Sequence, residues 1–184
     1  LVKNCLEFMS QLIVISALGL DRTGIVQDLT KIILSCDGNI EESRMTTLGT
    51  EFAMLLLVSG NWATLNKLEK GLKKLEKDKN LTISLRQTNI KNKSKGGMPY
   101  SVDIISLDQQ GIVFNLADFF SSLGIEITDV STRIYSAAYT GSSMFAVQMN
   151  INIPETIQIS RLREEFLGIC DRLNLDAILE PVKS

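Results

Sequence analysis

The 184-residue sequence contains no histidine, only three cysteines and only three prolines. The absence of histidine excludes Ser-His-Asp and Cys-His catalytic constellations, and it excludes the common zinc sites that use imidazole ligands. Cys5, Cys36 and Cys170 are too few and too widely spaced for a disulfide framework, which indicates a reducing compartment. We therefore expect a cytoplasmic protein without a metal site or a cofactor.

The sequence also lacks a strong net charge and a long apolar run. Its formal net charge is −2 and its pI is about 5.3, so no global basic field would attract nucleic acid. No stretch reaches the roughly 18 apolar residues that a membrane helix needs, and no membrane association is expected. The early segment "LIVISALGL" could be mistaken for part of a signal peptide, but its counterpart "YSVDIISL" lies mid-chain, where no export signal belongs.

An internal repeat is the most informative feature of the sequence. The stretch "LDRTGIV" (20–26) returns 87 residues later as "LDQQGIV" (107–113), so Asp21 corresponds to Asp108 and Gly24 to Gly111. The offset rises to 93 between "FAM" (52–54) and "FAV" (145–147), which gives the second copy six additional residues before this strand. Self-similarity over a whole unit indicates a duplication.

Each copy has the pattern strand, helix, strand, strand, helix, strand, which is typical of a ferredoxin-like unit. We predict one unit over residues 10–88, a polar, lysine-rich linker over 89–97 and a second unit over 98–184. The second strand of each unit is rich in polar residues and would need a partner at its edge. The predicted fold class is therefore α+β, with two tandem βαββαβ units that form one continuous antiparallel sheet with the helices on one face.

The repeated Asp-x-x-Gly loop joins a predicted inner strand to the start of a helix. Free N–H groups and the positive end of the helix dipole favour a carboxylate there, while Asp21 or Asp108 could bind an ammonium group. A site with both signs of charge suits a free amino acid. The alternative is that the aspartate is a turn or capping residue and that the glycine only shapes the bend.

The segments "ALGLDRTGIV", "CDGNIEESRM" and "LGTEFAMLLLVSGNW" resemble tandem ACT-domain proteins, and most of all the glycine cleavage system transcriptional repressor group. The resemblance runs from about Gln11 to the end and is weaker in the second copy. It implies regulatory units that bind amino acids where two units pack side by side. The ligand-binding positions that it implies in the first copy are Asp21, Arg22, Thr23, Gly24, Ile25 and Asn39; those in the second copy are Asp108, Gln109, Gln110, Gly111, Ile112 and Glu126.

The resemblance further implies a small amino acid as ligand, with glycine favoured, and control of glycine cleavage genes through a transcriptional activator protein. A protein-interaction adaptor that binds no ligand, or an ACT-type regulator of a metabolic enzyme, remains an alternative. An enzyme is not expected. Glu41 and Glu42 are adjacent on a predicted strand and should point to opposite faces, and Cys36 belongs to the apolar stripe of a helix.

Direct nucleic-acid binding is also not expected, although RNA-recognition domains share this strand order. Such domains stack bases on aromatic side chains of the inner strands. The third strand of the first copy offers only Phe52, at a position predicted to face the helices. The lysines of "KLEKGLKKLEKDK" (67–79) alternate with acidic residues, as on a solvated helix face.

The two copies differ on the sheet face that points away from the helices. On this face the first copy has Val14, Leu55 and Leu57, whereas the second copy has mostly polar residues at the matching positions. A contiguous apolar patch usually marks an interface. We therefore predict a homo-oligomer, or docking of a partner protein, through Val14, Leu55 and Leu57. The alternative is that the N-terminal segment or the linker covers the patch.

Overall fold

The structure is a computed structural model that describes residues 11–89 and 96–182. The chain divides into two compact units between residues 91 and 92. The elements of the first unit are β1 (Gln11–Leu20), α1 (Ile25–Ser35), β2 (Asn39–Leu48), β3 (Glu51–Gly60), α2 (Trp62–Lys79) and β4 (Thr82–Thr88). Those of the second unit are β5 (Gly97–Leu107), α3 (Ile112–Ser122), β6 (Glu126–Ser136), β7 (Ser143–Pro154), α4 (Ile159–Leu173) and β8 (Asp176–Pro181).

The strands form two antiparallel four-stranded sheets with matching topology. The strand order is β2-β3-β1-β4 in the first unit and β6-β7-β5-β8 in the second. This order confirms two ferredoxin-like units with β1 and β3, or β5 and β7, as the inner strands. The expectation of one continuous sheet is corrected, because the described strands form two sheets of four. The polar side chains of β2 that motivated it are all solvent-exposed, so they need no partner strand to be hydrated.

The core of the first unit follows the alternation of its two inner strands. Alternate residues of β1 and β3 are buried against the helices, as the sequence pattern predicted. The helices contribute apolar residues at intervals of three and four positions, because one face of each helix must cover the sheet. The buried members from β1, β3, α1 and α2 are Ile13, Ile15, Ala17, Phe52, Met54, Leu56, Val58, Ile25, Leu29, Ile33, Leu68, Leu72 and Leu75.

The second unit repeats this arrangement with a more aromatic centre. The rings of Phe120 and Phe166 stack with centroids 5.8 Å apart, and Phe119 meets Phe120 edge-on at 5.2 Å. Phe120 and Phe166 are almost completely buried between α3, α4 and the sheet. Pro181 ends the edge strand β8, where a proline can be accommodated because its missing N–H faces no further strand.

Each second strand contains a β-bulge near its start, which the sequence did not predict. The ladder between β2 and β3 shifts between Ile40 and Glu42, so Glu41 is the extra residue. Its carboxylate accepts hydrogen bonds from Asn39 and Ser59. Both partners lie on the same sheet face as Glu42, so the Glu41 side chain points to that face as well. The prediction that the two glutamates point to opposite faces is therefore wrong, because it assumed an uninterrupted strand.

Gly97, the last residue of the predicted linker, is the first residue of β5. Residues 90–95 of that segment, like Cys5, lie outside the described residues. The longer hairpin of the second copy lies between β6 and β7, which are joined by residues 137–142, whereas Gly49 and Thr50 alone join β2 to β3. Among the described residues, no helix is both long and apolar enough to cross a membrane.

Candidate functional site

The Asp-x-x-Gly loops of the two copies have the same backbone conformation. Gly24 has φ 89° and ψ 0°, and Gly111 has φ 87° and ψ 0°, both in the left-handed region. A residue with a Cβ is strained there, so the glycine in each loop is required by the backbone. The loop starts are also alike, because the N–H of Asp21 donates to the Thr50 carbonyl at 2.9 Å and that of Asp108 donates to the Ser143 carbonyl at 3.0 Å.

The glycine of each loop is also the N-cap residue of the following helix. The Gly24 carbonyl accepts the first helical hydrogen bond from the Asp28 N–H at 2.9 Å, and Gly111 does the same for Asn115. Because glycine has no side-chain oxygen, neither helix start receives the usual side-chain cap. Ile25 begins α1 as a buried core residue, which fixes the helix start beneath the loop. In the first copy the Ile25 N–H donates to the Arg22 carbonyl at 3.4 Å, so the N–H groups of Val26 and Gln27 are the ones left without a capping partner among the described residues.

The loop side chains of the first copy differ in their contacts. Asp21 and Thr23 are exposed, and within the described residues the Asp21 carboxylate accepts no hydrogen bond, so Asp21 does not act as a helix cap. Arg22 reaches across the first turn of α1 and donates to Asp28 at 2.6 Å. This hydrogen bond holds the pKa of the Asp28 carboxyl below its usual value. The ion pair leaves Asp21 as an exposed anion beside the helix start.

The second-copy loop has a different set of contacts. Gln109 occupies the position of Arg22, and its side-chain amide donates to the Leu173 carbonyl near the end of α4 at 2.7 Å. Asp108 and Gln110 are exposed, and Ile112 is buried as Ile25 is. Gln109 therefore secures the loop to α4, whereas Arg22 secures its loop to the first turn of the helix that follows.

Asn39 does not lie near the loop of its own unit. Asn39 pairs with Ser59, which pairs with Leu12, whereas the loop begins after Leu20 at the other end of β1. Eight residues of strand separate the two positions by about 27 Å. The second copy has the same pairings. Glu126 pairs with Asn152, which pairs with Pro99, whereas β5 ends at Leu107. A site that uses both the loop and Asn39 therefore needs residues from two units.

A shallow groove of about 500 Å³ adjoins Asn39 on the side of α1. Thr30, Leu34 and Ile40 are among its lining residues. The amide of Asn39 donates to Glu41 at 2.9 Å, and the hydrogen bonds from Ser59 and Asn39 lower the pKa of the Glu41 carboxyl. A lowered pKa keeps Glu41 ionised, which is the opposite of what a general acid requires.

The sheet face opposite the helices, called the outer face below, contains the residues predicted to form an interface. Leu55 is 52% exposed. Leu57, two residues further along β3, and Val14, its partner on β1, are partly exposed. Phe52 points the other way and is completely buried, as predicted, so it is not available to stack on a base.

Comparison with known proteins agrees with this architecture. Residues 11–86 match the family model described as the ACT domain. A protein of Methanococcus maripaludis is 31% identical over 80 residues, which make up 42% of this chain and 89% of that protein. The chain belongs to the ACT-domain family.

Two further relatives extend over both ACT units. The glycine cleavage system transcriptional repressor of Escherichia coli (strain K12) is 26% identical over 170 residues, which cover 92% of this chain and 90% of that protein. The crystal structure of an unknown protein from Galdieria sulphuraria has a TM-score of 0.78 at 26% identity and covers 95% of this chain and 100% of that one. The chain is thus a tandem ACT-domain protein that resembles the glycine cleavage repressors.

Proposed function

We propose that this chain is an amino-acid-responsive regulatory protein of the cytoplasm that binds a small amino acid, glycine first. In this proposal it modulates transcription of glycine cleavage genes through a protein partner, an activator, and does not bind DNA itself. The similarity to the Escherichia coli repressor over 92% of the chain supports the regulatory role. The observation that carries the ligand proposal is the repeated loop, with a left-handed glycine before an uncapped helix start.

The chemistry of the first-copy loop suits a zwitterion. The N–H groups at the start of α1 would bind the ligand carboxylate, since a helix N-terminus favours negative charge. The exposed Asp21 carboxylate would bind the ligand ammonium group. Arg22 is already paired with Asp28 at 2.6 Å, so it would hold the first helical turn in place while Thr23 and Gly24 contact the ligand.

Because Asn39 lies about 27 Å from the loop of its own unit, its part in binding depends on a second unit. We propose that Asn39, with the groove beside it, meets an Asp-x-x-Gly loop of another ACT unit. Glycine is favoured as ligand because the similar Escherichia coli protein is named as the transcriptional repressor of the glycine cleavage system.

The test is titration calorimetry of the whole chain with glycine and then with each other amino acid. We expect saturable binding, and a ligand at 100 times its dissociation constant should stabilise the protein by about 2.7 kcal/mol. Asp21→Ala should abolish the binding heat. Asp78→Ala, which removes an exposed aspartate from α2, is the matched control and should leave it unchanged.

Asp108→Ala separates the two loops. Because Gln109 is committed to the Leu173 carbonyl, the second loop lacks the Arg22-type contact, and we expect a smaller effect from this variant. If no amino acid binds the wild-type chain, the sensor proposal fails and a ligand-free adaptor takes its place. Capture of a metabolic enzyme instead of an activator by the purified chain would favour the enzyme-regulator alternative.

A further inference from the structure

One row of residues across the outer face of the first unit has an apolar centre between two charged residues at the sheet edges. The strand registers place Glu42, Leu57, Val14 and Arg86 in one row across β2, β3, β1 and β4. Glu42 and Arg86 are both exposed at opposite edges of the sheet. The row therefore runs from a negative edge, across two apolar side chains, to a positive edge.

The two rows that follow alternate in side-chain size between the inner strands. In the next row Leu55 of β3 stands beside Ser16 of β1. In the row after that the order is reversed, with Ala53 on β3 beside Leu18 on β1. Leu18 is 50% exposed and Leu55 is 52% exposed, so each large side chain projects next to a small neighbour.

We propose that this outer face binds the same face of a second copy of the chain, about a twofold axis parallel to the strands. Such an axis reverses the order of the four strands in the second copy. Each row of one copy therefore lies over the same row of the other copy. Glu42 then faces Arg86 of the second copy, and Arg86 faces Glu42, so both edges pair opposite charges. Leu57 packs over Val14, because β3 of one copy lies over β1 of the other.

The same operation also matches the side-chain sizes. Leu55 of one copy lies over Ser16 of the other, and Leu18 lies over Ala53. Large side chains therefore meet small ones at the centre of the contact, as in the interdigitated packing of two sheets about 10 Å apart. Glu42 already lies 3.5 Å from Arg44 within its own sheet, so Arg86 of the second copy would become its second basic neighbour.

The size of the face is sufficient for a specific dimer. Four strands about 4.8 Å apart and about nine residues long give each face roughly 20 by 30 Å. Two copies would together cover about 1,200 Å², which exceeds the roughly 1,000 Å² expected of a specific interface.

The outer face of the second unit repeats only one of these matches, the large–small pair of Ile105 and Ala146, which corresponds to Leu18 and Ala53. The row that corresponds to Glu42–Arg86 is Asp129, Asn150, Ser101 and Glu180, so both of its edges are acidic. Its centre is also polar, because Asp103 accepts hydrogen bonds from Ser101 at 3.0 Å and from Gln148 at 2.9 Å. The same twofold contact would bring Asp129 against Glu180, and like charges across an interface disfavour association. The first unit is therefore the one that self-associates.

A charge exchange tests both the surface and the direction of the axis. Sedimentation velocity of the whole chain, measured over a range of concentrations, should give a mass of twice 20.4 kDa. In the dimer, Glu42→Arg brings two arginines together at each edge, one from each copy. Arg86→Glu brings two glutamates together at each edge in the same way. Each should weaken dimerisation more than about tenfold. The double variant Glu42→Arg with Arg86→Glu should recover part of it, because each pair across the contact is reversed while the new arginine at position 42 lies beside Arg44.

Glu180→Arg is the matched control, since it makes the same change of charge as Glu42→Arg on the outer face of the second unit. It should leave the sedimenting mass unchanged. Leu55→Asp with Leu57→Asp should give a folded monomer, with folding checked by circular dichroism. A monomeric wild type, or a double charge variant that stays monomeric, would overturn the proposal. So would dimerisation that occurs only after removal of residues 1–10, because the face would then be covered within the chain.

Discussion

Replacement of Gly24 by alanine measures how strongly the loop conformation depends on glycine. A Cβ added at Gly24 would meet no atom within 4 Å, so no steric clash contributes to the effect. What remains is the backbone, since φ is 89°. A side chain in the left-handed region costs about 1–2 kcal/mol. Alanine also restricts the unfolded chain, which offsets about 0.4–1 kcal/mol. We expect a net loss of about 1 kcal/mol in the free energy of unfolding.

This loss should be visible by calorimetry as a lower Tm. For a unit of this size, about 1 kcal/mol corresponds to a shift of roughly 4–8 °C. Gly24→Asn should be closer to wild type, because asparagine tolerates the left-handed region. Gly168→Ala is a control for which we expect the opposite change, a gain in stability. Gly168 lies inside α4 with room for a Cβ, so alanine there should stabilise by roughly 0.5–1 kcal/mol. A Tm for Gly24→Ala equal to or above that of the wild type would refute the argument.

The remaining predictions concern the core and the pH dependence of stability. Phe166→Ala should cost about 3–5 kcal/mol in urea denaturation, whereas Leu167→Ala, an exposed neighbour, should change stability by less than about 0.5 kcal/mol. The pKa of Asp28 is lowered in the folded protein, so its ion pair with Arg22 stabilises the fold above pH 3.8, and this stabilisation is lost as the pH falls through the folded pKa. Asp28→Asn should therefore reduce the loss of stability at acid pH. Burial raises the pKa of Cys170 from 9.0 to about 11, so stability should fall as the pH rises between these values, and Cys170→Ala should reduce that fall. A pH profile that is identical in variant and wild type would contradict either titration prediction.

The elements and core of both units could be predicted because they depend on periodicity. Alternation in β1 and β3 assigns Ile15 and Leu56 to the core and leaves Val14 and Leu55 on the other face, and the structure agrees. The positive φ of Gly24 and Gly111 was also predictable, since the same glycine stands before a helix in both copies. These features follow from local rules that act within a few residues.

The features that the sequence did not predict depend on contacts between distant residues. The bulge at Glu41 arises from the register of β2 against β3, which a strand pattern alone does not contain. The bond from Gln109 to the Leu173 carbonyl joins positions 64 residues apart. The wide separation of Asn39 from the Asp21 loop follows from the parallel course of β1 and β2 on either side of β3. None of these has a periodic signature.

Comparison of the two copies shows which surface residues are not required for folding. The positions of Leu55 and Leu57 in β3 are occupied by Gln148 and Asn150 in β7, and the second unit has the same fold and an equally buried core. The leucines are therefore not needed to hold the sheet against its helices. Left in water they would favour aggregation, because exposed apolar patches promote association. Their presence, in rows next to the opposite charges of Glu42 and Arg86, is explained if the first unit binds a second copy through this face while the second unit stays hydrated.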